Sequence, residues 1–543
     1  MGLPPPATDY TIRHGVRVPM RDGVDLIADH YAPAAAARGT LLVRGPYGRA
    51  FPFSVLFARV YAVRGYHVVL QSVRGTFGSG GVFEPMINEA TDGADTAEWL
   101  RHQPWFTGRF ATIGPSYLGL TQWALLQEPP PEMAAAVITV GPHDFSASAW
   151  GTGAFTLNDY LGWCYLVGHQ EEGRSLQALI RQLGARRRLA RATAALPLGD
   201  AGRSLLGTGA PWYEPWLEHP DRDDPFWREF RFDAALDRVD VPVLLIGGWQ
   251  DTFLEQTLEQ YRRLSRRGID VALTVGPWTH AQLTTTGAAA VARESLQWLD
   301  THLAGTAAAK RSPVRIFIPG DGWVDLPGWP PAMPERVLYL RAGGALAGTP
   351  PADTSSPSTF QYDPGSPTPT IGGRLLSPEG GYRDDSRLCG RADVLAFTGD
   401  VLPSDLYMVG SPVVELSHAA DNPHVDVFVR VSEVDGKGRS RNVSDGYRRV
   451  IGTDKPSVVR IELDATAHRL RAGSRIRLLI AGGSHPRFAR NLGTGEPAVT
   501  ARTMATSHHA VHHRSGALSR LVLPAGSGPP SGEPAPDHRG NLC

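Results

Sequence analysis

The stretch Ile113-Gly114-Pro115-Ser116-Tyr117-Leu118-Gly119 decides the fold. It sets one serine among small residues, directly after the apolar Ala111-Thr112-Ile113 and before Leu120-Thr121-Gln122-Trp123-Ala124-Leu125-Leu126, which reads as helix. A strand that ends, turns sharply at a serine and re-enters as a helix leaves the hydroxyl exposed at the turn, which is how a nucleophilic serine is presented. Glycines two before and three after the serine keep side chains out of the strand–helix crossing. The free N–H groups of the helix N-terminus face any oxyanion formed there. The spacing departs from G-x-S-x-G, because Leu118 stands two after the serine. A glycine-flanked serine is also an ordinary turn in a chain with 60 glycines, so partners must decide.

A serine hydroxyl needs a base, and the base an orienting carboxylate. In an α/β-hydrolase the chain order is Ser, then Asp or Glu, then His, each after a parallel strand. Val241-Pro242-Val243-Leu244-Leu245-Ile246-Gly247-Gly248 reads as a buried strand and runs into Trp249-Gln250-Asp251. Asp270-Val271-Ala272-Leu273-Thr274-Val275-Gly276 reads as the next, followed by Pro277-Trp278-Thr279-His280. Asp251 and His280 therefore sit where ligand sites of open α/β sheets gather. Taken singly, the aspartate is a turn former or cap and the histidine one of 18. Together with Ser116 they read as a catalytic triad.

These segments resemble the CocE/NonD family of serine hydrolases, the cocaine esterase / X-prolyl dipeptidyl-peptidase superfamily. Val18-Pro19-Met20-Arg21-Asp22-Gly23-Val24-Asp25-Leu26 is similar to its opening hairpin, and Leu41-Leu42-Val43-Arg44-Gly45-Pro46-Tyr47 to the strand and loop of its oxyanion tyrosine. Gly114 through Trp123 resembles its G-x-S-Y-x-G-x-x-Q-W elbow, and Gly247–Asp251 and Gly276–His280 its acid and base loops. The likeness continues at His219-Pro220, Asp224–Trp227, Arg391–Phe397, Asp426–Arg430 and Arg487–Asn491, covering residues 10 to 525. It implies Ser116 as nucleophile, His280 as general base and acid, Asp251 as orienter of the imidazole, and an oxyanion hole of the Tyr47 hydroxyl and the Tyr117 backbone N–H. It implies an acyl pocket at Trp150, Trp163, Phe253 and Leu376, each of which ordinary core packing would also explain. Where the family esterase has an aromatic after Leu376 this chain has Ser377, so a preference for a flat benzoyl group is not assumed. Where the family commonly has Q-D-x-R-G, this chain reads Gln71-Ser72-Val73-Arg74-Gly75, so the loop around Arg74 must be held differently.

At 543 residues two or three domains are expected. Lys+Arg 54 balances Asp+Glu 54, so no overall field draws nucleic acid or an anionic surface. The arginine run between Arg181 and Arg191 fits a solvated helix face better than a nucleic-acid patch. Cys164, Cys389 and Cys543 are too few for a disulfide framework or zinc site, with Cys164 read as a small buried residue. No apolar run approaches the ~20 residues that span a bilayer, and Met1–Pro6 lacks signal-peptide character. The expectation is a soluble, cytoplasmic enzyme with no cofactor, no metal, no nucleic-acid or membrane partner, and an oligomeric state left open, a homodimer included.

Thr40–Val43, Tyr66–Gln71 and Ala111–Ile113 read as strands and Ser54–Arg64 and Asp92–His102 as helices, the alternation of a parallel sheet covered by helices. The expected organisation is an α/β-hydrolase domain in two parts, 1–144 and 236–335, a helical cap insertion over 145–235, a jelly-roll β-sandwich over 336–528, and a disordered tail over 529–543. The Pro/Ser/Thr/Gly-rich stretch 343–373 reads as a boundary or surface excursion, followed by strands at Val413–Leu416, Val425–Val431, Val458–Leu463, Arg475–Ile480 and Arg520–Leu523. Three functions compete: an acyl esterase; an Xaa-Pro dipeptidyl-peptidase, amino-acid ester or amide acylase, or acyltransferase on the same scaffold; and a catalytically silent binding protein. The second needs carboxylates for a substrate ammonium, and the cap offers Asp159, Glu171, Glu172 and Asp221 to Asp224. An intact triad speaks against the third. The expected substrate is a small-molecule ester or amide.

Overall fold

β1 (Tyr10–Pro19) and β2 (Asp25–Pro33) form the opening hairpin. The apolar runs that follow become β3 (Gly39–Gly45), β4 (Tyr66–Ser72), β5 (Phe110–Pro115), β6 (Met133–Thr139), β7 (Val243–Gln250) and β8 (Val271–Thr279). They stand in the order β1-β2-β4-β3-β5-β6-β7-β8, parallel from β4 onward. Every residue of β3, β4, β6 and β7 is buried, as a sheet with helices on both faces requires. The computed structural model describes residues 3–172, 176–306, 311–352, 354–452 and 456–530, with backbone alone over 176–183. The expected tail from residue 531 lies outside the described residues.

The chain divides into two compact units. One comprises residues up to Ser148, His169–Gly173 and Asp223–Arg315; the other comprises Ala149–Gly168, Arg174–Arg222 and the chain from Ile316 onward. The first unit holds the hydrolase sheet. The expected helix over Asp92–His102 is Glu89–Arg101, whereas Ser54–Arg64 is a π-helical turn, Val55–Arg59, continued by Val60–Ala62. Strand β6 has no sequence signal: its three consecutive alanines favour helix, and burial on both faces overrides that.

The second unit holds cap helices Leu157–His169, Leu176–Ala194, Leu198–Leu206 and Tyr213–Glu218 together with the C-terminal β domain. Arg186, Arg187, Arg188 and Arg191 are exposed, the solvated face expected of the arginine run. Cys164 is a buried free thiol. All five expected β-domain strands form, each extended by up to four residues at an end. The stretch 343–373 is no boundary. Strand Glu335–Arg341 precedes it, and Ser358–Tyr362 inside it pairs with Ser507–His512. The β core is aliphatic, built on Leu340, Leu416, Val429, Val431, Leu478 and Leu521. The chain is thus an α/β-hydrolase with a helical insertion and a C-terminal jelly-roll domain. Among the described residues no helix is long and apolar enough to cross a membrane.

The motifs of the last third interlock as a buried ionic lattice. Arg430 clasps Asp445 through Nε (2.6 Å) and Nη2 (2.8 Å), and Arg487 adds a third donor at 2.9 Å. Asp426 accepts from Arg449 Nε at 2.8 Å and from Asn491 Nδ2 at 3.0 Å. Burial alone would raise the Asp445 pKa, but the Arg430 and Arg487 guanidinia hold it below the usual carboxylate value. Asp445→Ala removes the bidentate partner of a guanidinium that is only 1% exposed and leaves it Asp385 at 3.6 Å, a loss of at most about 3–5 kcal/mol. We expect a lower urea midpoint for this unit. With its folded pKa depressed, the Asp445 contribution is full above the unfolded carboxylate value of about 3.9 and disappears as pH falls through the folded one. The wild-type advantage over Asp445→Ala should therefore shrink only in strong acid.

Candidate active site

The carboxyl ends of β3, β5, β7 and β8 carry Tyr47, Ser116, Asp251 and His280 to one edge of the parallel sheet. Ser116 has φ 58° and ψ −123°, a left-handed conformation that a non-glycine residue holds only under compulsion. The compulsion is legible residue by residue. Its N–H donates to Thr139 O at 2.9 Å, and its carbonyl accepts from Gly119 N (2.8 Å) and Leu120 N (2.9 Å). A Cβ on Gly114 would lie 2.4 Å from Leu118 Cβ, and one on Gly119 would lie 2.7 Å from Gly141 Cα, so both glycines are fixed by contact. Gln122 Nε2 donates to Leu118 O and Val137 O, each at 3.1 Å, and Trp123 Nε1 donates to Gly141 O at 3.1 Å. Each position of the elbow motif has a job.

Asp251 is fully buried. Its Oδ1 accepts from Phe253 N at 2.8 Å, and its Oδ2 lies 2.6 Å from His280 Nδ1. His280 opens a short helix, His280–Leu283, whose start is fixed by a capping box between Thr279 and Gln282. The T-x-x-Q spacing of Thr279 and Gln282 is the sequence signal for that helix start. Phe253 meets the imidazole edge-on, ring centroids 5.4 Å apart. The Tyr47 ring stacks on Phe53 at 5.6 Å.

Tyr117 is a buried residue whose side chain the sequence reading passed over. Its phenol donates to Glu89 Oε1 at 2.8 Å and accepts from Met86 N at 2.7 Å. Burial, and then the Glu89 charge, push the phenol pKa well above its usual value, so it stays a donor. Glu89 Oε2 is 3.2 Å from Arg44 Nη2 in a wholly buried ion pair. Burial pushes the Glu89 carboxyl up and Arg44 pulls it down, with the net direction upward.

Ser72 is resolved by its neighbours. It accepts from Arg49 Nη1, whose Nε lies 3.3 Å from Asp29 Oδ1, so β2 supplies the carboxylate on this side of the loop. Arg74 is held instead by Asp92 (2.6 Å) and Asp22 (2.7 Å).

Trp150, Trp163 and Leu376 belong to the second unit. Trp150 Nε1 donates to Trp216 O at 2.9 Å, and Trp163 packs against Trp216 with centroids 6.0 Å apart. Leu376 N donates to Asp159 Oδ1 at 3.0 Å, so Asp159 is a buried bracket and not a surface carboxylate. Asp224 caps a 3₁₀ turn by accepting from Phe226 N at 2.8 Å. Glu171 lies in the first unit, where Oε2 accepts from Phe77 N at 2.9 Å.

A sequence model of the X-Pro dipeptidyl-peptidase (S15) family matches residues 22–282, and one of the X-Pro dipeptidyl-peptidase C-terminal non-catalytic domain matches 306–522. The cocaine esterase of Rhodococcus sp. (strain MB1 Bresler) is 30% identical, over 95% of this chain and 99% of its own. The chain belongs to the CocE/NonD family of serine hydrolases. Two solved structures share this chain's fold at TM-score 0.82, each covering 96% of this chain and 98% of its own. They are an aminopeptidase from a Thaumarchaeota archaeon at 22% identity and an α-amino acid ester hydrolase at 23%. As a member of that family the protein is a hydrolase of the esterase or peptidase kind.

Proposed function

We propose that the protein is a carboxylic ester hydrolase working through Ser116, His280 and Asp251. The observation that carries this reading is the 2.6 Å contact between His280 Nδ1 and Asp251 Oδ2, at the ends of adjacent parallel strands of the sheet whose β5 leads into Ser116 on a strained elbow. With Nδ1–H given to Asp251, the imidazole turns a basic Nε2 to the serine. Ser116 Oγ attacks the ester carbonyl while Nε2 takes its proton. The oxyanion is met by the Tyr47 hydroxyl and the Tyr117 N–H. Collapse expels the alcohol, which takes the proton from His280, and water activated by the same base then releases the acid. Phe253, in the same unit as Ser116 and edge-on to His280, is proposed to line the acyl pocket. The cocaine esterase relative favours an ester substrate, and Ser377 argues against assuming its acyl group.

A second reading, an aminopeptidase or amino-acid acylase, has one observation in its favour: the Glu171 carboxylate stands in the same unit as Ser116, accepting from Phe77 N. Time courses with p-nitrophenyl esters and Xaa-Pro-p-nitroanilides separate the two. Ester cleavage with a p-nitrophenol burst supports the esterase; preferential release of p-nitroaniline would overturn it.

Tyr47→Phe keeps the ring that stacks on Phe53 and removes only the hydroxyl. Loss of one oxyanion donor costs about 10²–10³ in turnover. We expect that loss in kcat with an unchanged melting temperature. Wild-type turnover would remove Tyr47 from the oxyanion hole.

A further inference from the structure

We propose that the Tyr117 phenol is a clamp that sets the position of the Tyr117 backbone N–H, and that Glu89 is a positioning residue of the oxyanion hole acting through it. This rests on the assignment of Ser116 as nucleophile.

Tyr117 is the first residue of helix Tyr117–Leu125, and the first N–H groups of a helix have no intrahelical acceptor to orient them. The carbonyl of the peptide between Ser116 and Tyr117 is held by Gly119 N and Leu120 N, and the Tyr117 side chain fixes the same residue from its other end. The side chain supplies two short hydrogen bonds, from Met86 N and to Glu89 Oε1. Met86 itself sits at φ 76°, a conformation costly to a side-chain-bearing residue, and in it the N–H is delivered to the phenol.

The acceptor is braced in turn. Arg44, beside Glu89 Oε2, donates from Nε to Gln71 Oε1 at 2.7 Å and from Nη1 to the Glu89 carbonyl at 2.9 Å. Gln71 Nε2 donates to Thr96 Oγ1 at 3.0 Å, and Thr96 Oγ1 to Asp92 O at 2.7 Å. The chain of contacts thus ties β3, β4 and helix Glu89–Arg101 to the elbow, all in residues at most 6% exposed. A buried ion pair adds little net stability, because desolvation offsets attraction. What it supplies here is a fixed carboxylate oxygen. An oxyanion donor acts only when its distance to the developing charge is right, and a misplacement of about 1 Å can cost about 10²-fold.

The test compares wild type with Tyr117→Phe, Glu89→Ala, Glu89→Gln and Ser116→Ala, reading kcat and KM on a p-nitrophenyl ester and the inhibition constant of an aryl boronic acid, whose serine adduct is tetrahedral. For Tyr117→Phe we expect kcat to fall by about 10- to 10²-fold with KM within about twofold, and boronate affinity to weaken by the same factor. Glu89→Ala should match it, while Glu89→Gln, which keeps a carbonyl for the phenol, should recover most of the loss. Should the Glu89 variants fail to fold, Tyr117→Phe, lacking one hydroxyl, still decides. Wild-type kcat and boronate affinity in Tyr117→Phe would overturn the clamp, as would a fall in kcat with boronate affinity intact. Turnover by Ser116→Ala above about one part in a hundred of wild type would instead overturn the nucleophile assignment beneath it.

Discussion

Ser116→Ala is expected to lower kcat by about 10⁶-fold while the ester still binds. The reasoning starts from the elbow, not from the hydroxyl. The φ of 58° at Ser116 is imposed by Gly114, Gly119, Gln122 and Trp123 through contacts that do not involve Oγ. An alanine therefore inherits the same turn, and the melting temperature should stay within a degree or two. On the proposed mechanism, what disappears is the acyl-enzyme route. Residual catalysis of about 10³–10⁴ over water should survive, from the oxyanion donors and substrate placement alone. Because members of a triad act as a unit, His280→Ala added to Ser116→Ala should cost almost nothing further. The measurement is pre-steady-state release of p-nitrophenol: a burst equal to enzyme concentration in wild type, none in Ser116→Ala. Turnover above one part in a hundred would mean that another group attacks the carbonyl.

How much of this was legible beforehand follows the range of the interactions. The elbow was, because its motif is contiguous in the chain, although only one of its reasons is local: a Cβ on Gly114 would meet Leu118 within the turn, while one on Gly119 would meet Gly141 beyond β6. The placement of Asp251 and His280 at strand ends was, because each follows an unbroken apolar strand, and β7 and β8 are buried almost throughout. Strand β6 was not, since an alanine-rich segment is a strand only when both its faces are covered. The stretch 343–373 misled in the opposite sense. Its proline and serine content marks loops, yet Ser358–Tyr362 is a strand because Ser507–His512, about 150 residues on, pairs with it. The Arg44–Glu89–Tyr117 contacts were equally invisible, since three residues from separate elements carry no spacing that announces their meeting. The replacement at Ser72 could be noticed but not resolved, because the compensating Asp29 lies on β2, a neighbouring strand far away in sequence.

The same distinction between local and distant support shapes the expectation for the acid. Asp251→Asn should lower kcat by about 10⁴-fold, less than the loss of the nucleophile but far more than the loss of one ordinary hydrogen bond. Asp251 divides its two oxygens. Oδ1 accepts from Phe253 N at 2.8 Å and so fixes the start of helix Leu254–Arg266; Oδ2 faces His280 Nδ1 at 2.6 Å. An asparagine can keep its carbonyl oxygen on Phe253 N, which preserves the helix start. Its NH₂ then points at the imidazole. Nδ1 must accept, the proton moves to Nε2, and the nitrogen turned to Ser116 is a donor that cannot take the hydroxyl proton. Geometry is conserved and chemistry is inverted. Phe253, edge-on at 5.4 Å, should hold the ring in place in both proteins. The check is to measure kcat, KM and the melting temperature together: a fall in kcat with the other two nearly unchanged is the signature of a wrong tautomer. A large fall in melting temperature would show that Asp251 serves mainly to brace the β7 loop, and wild-type kcat would remove it from the catalytic apparatus altogether.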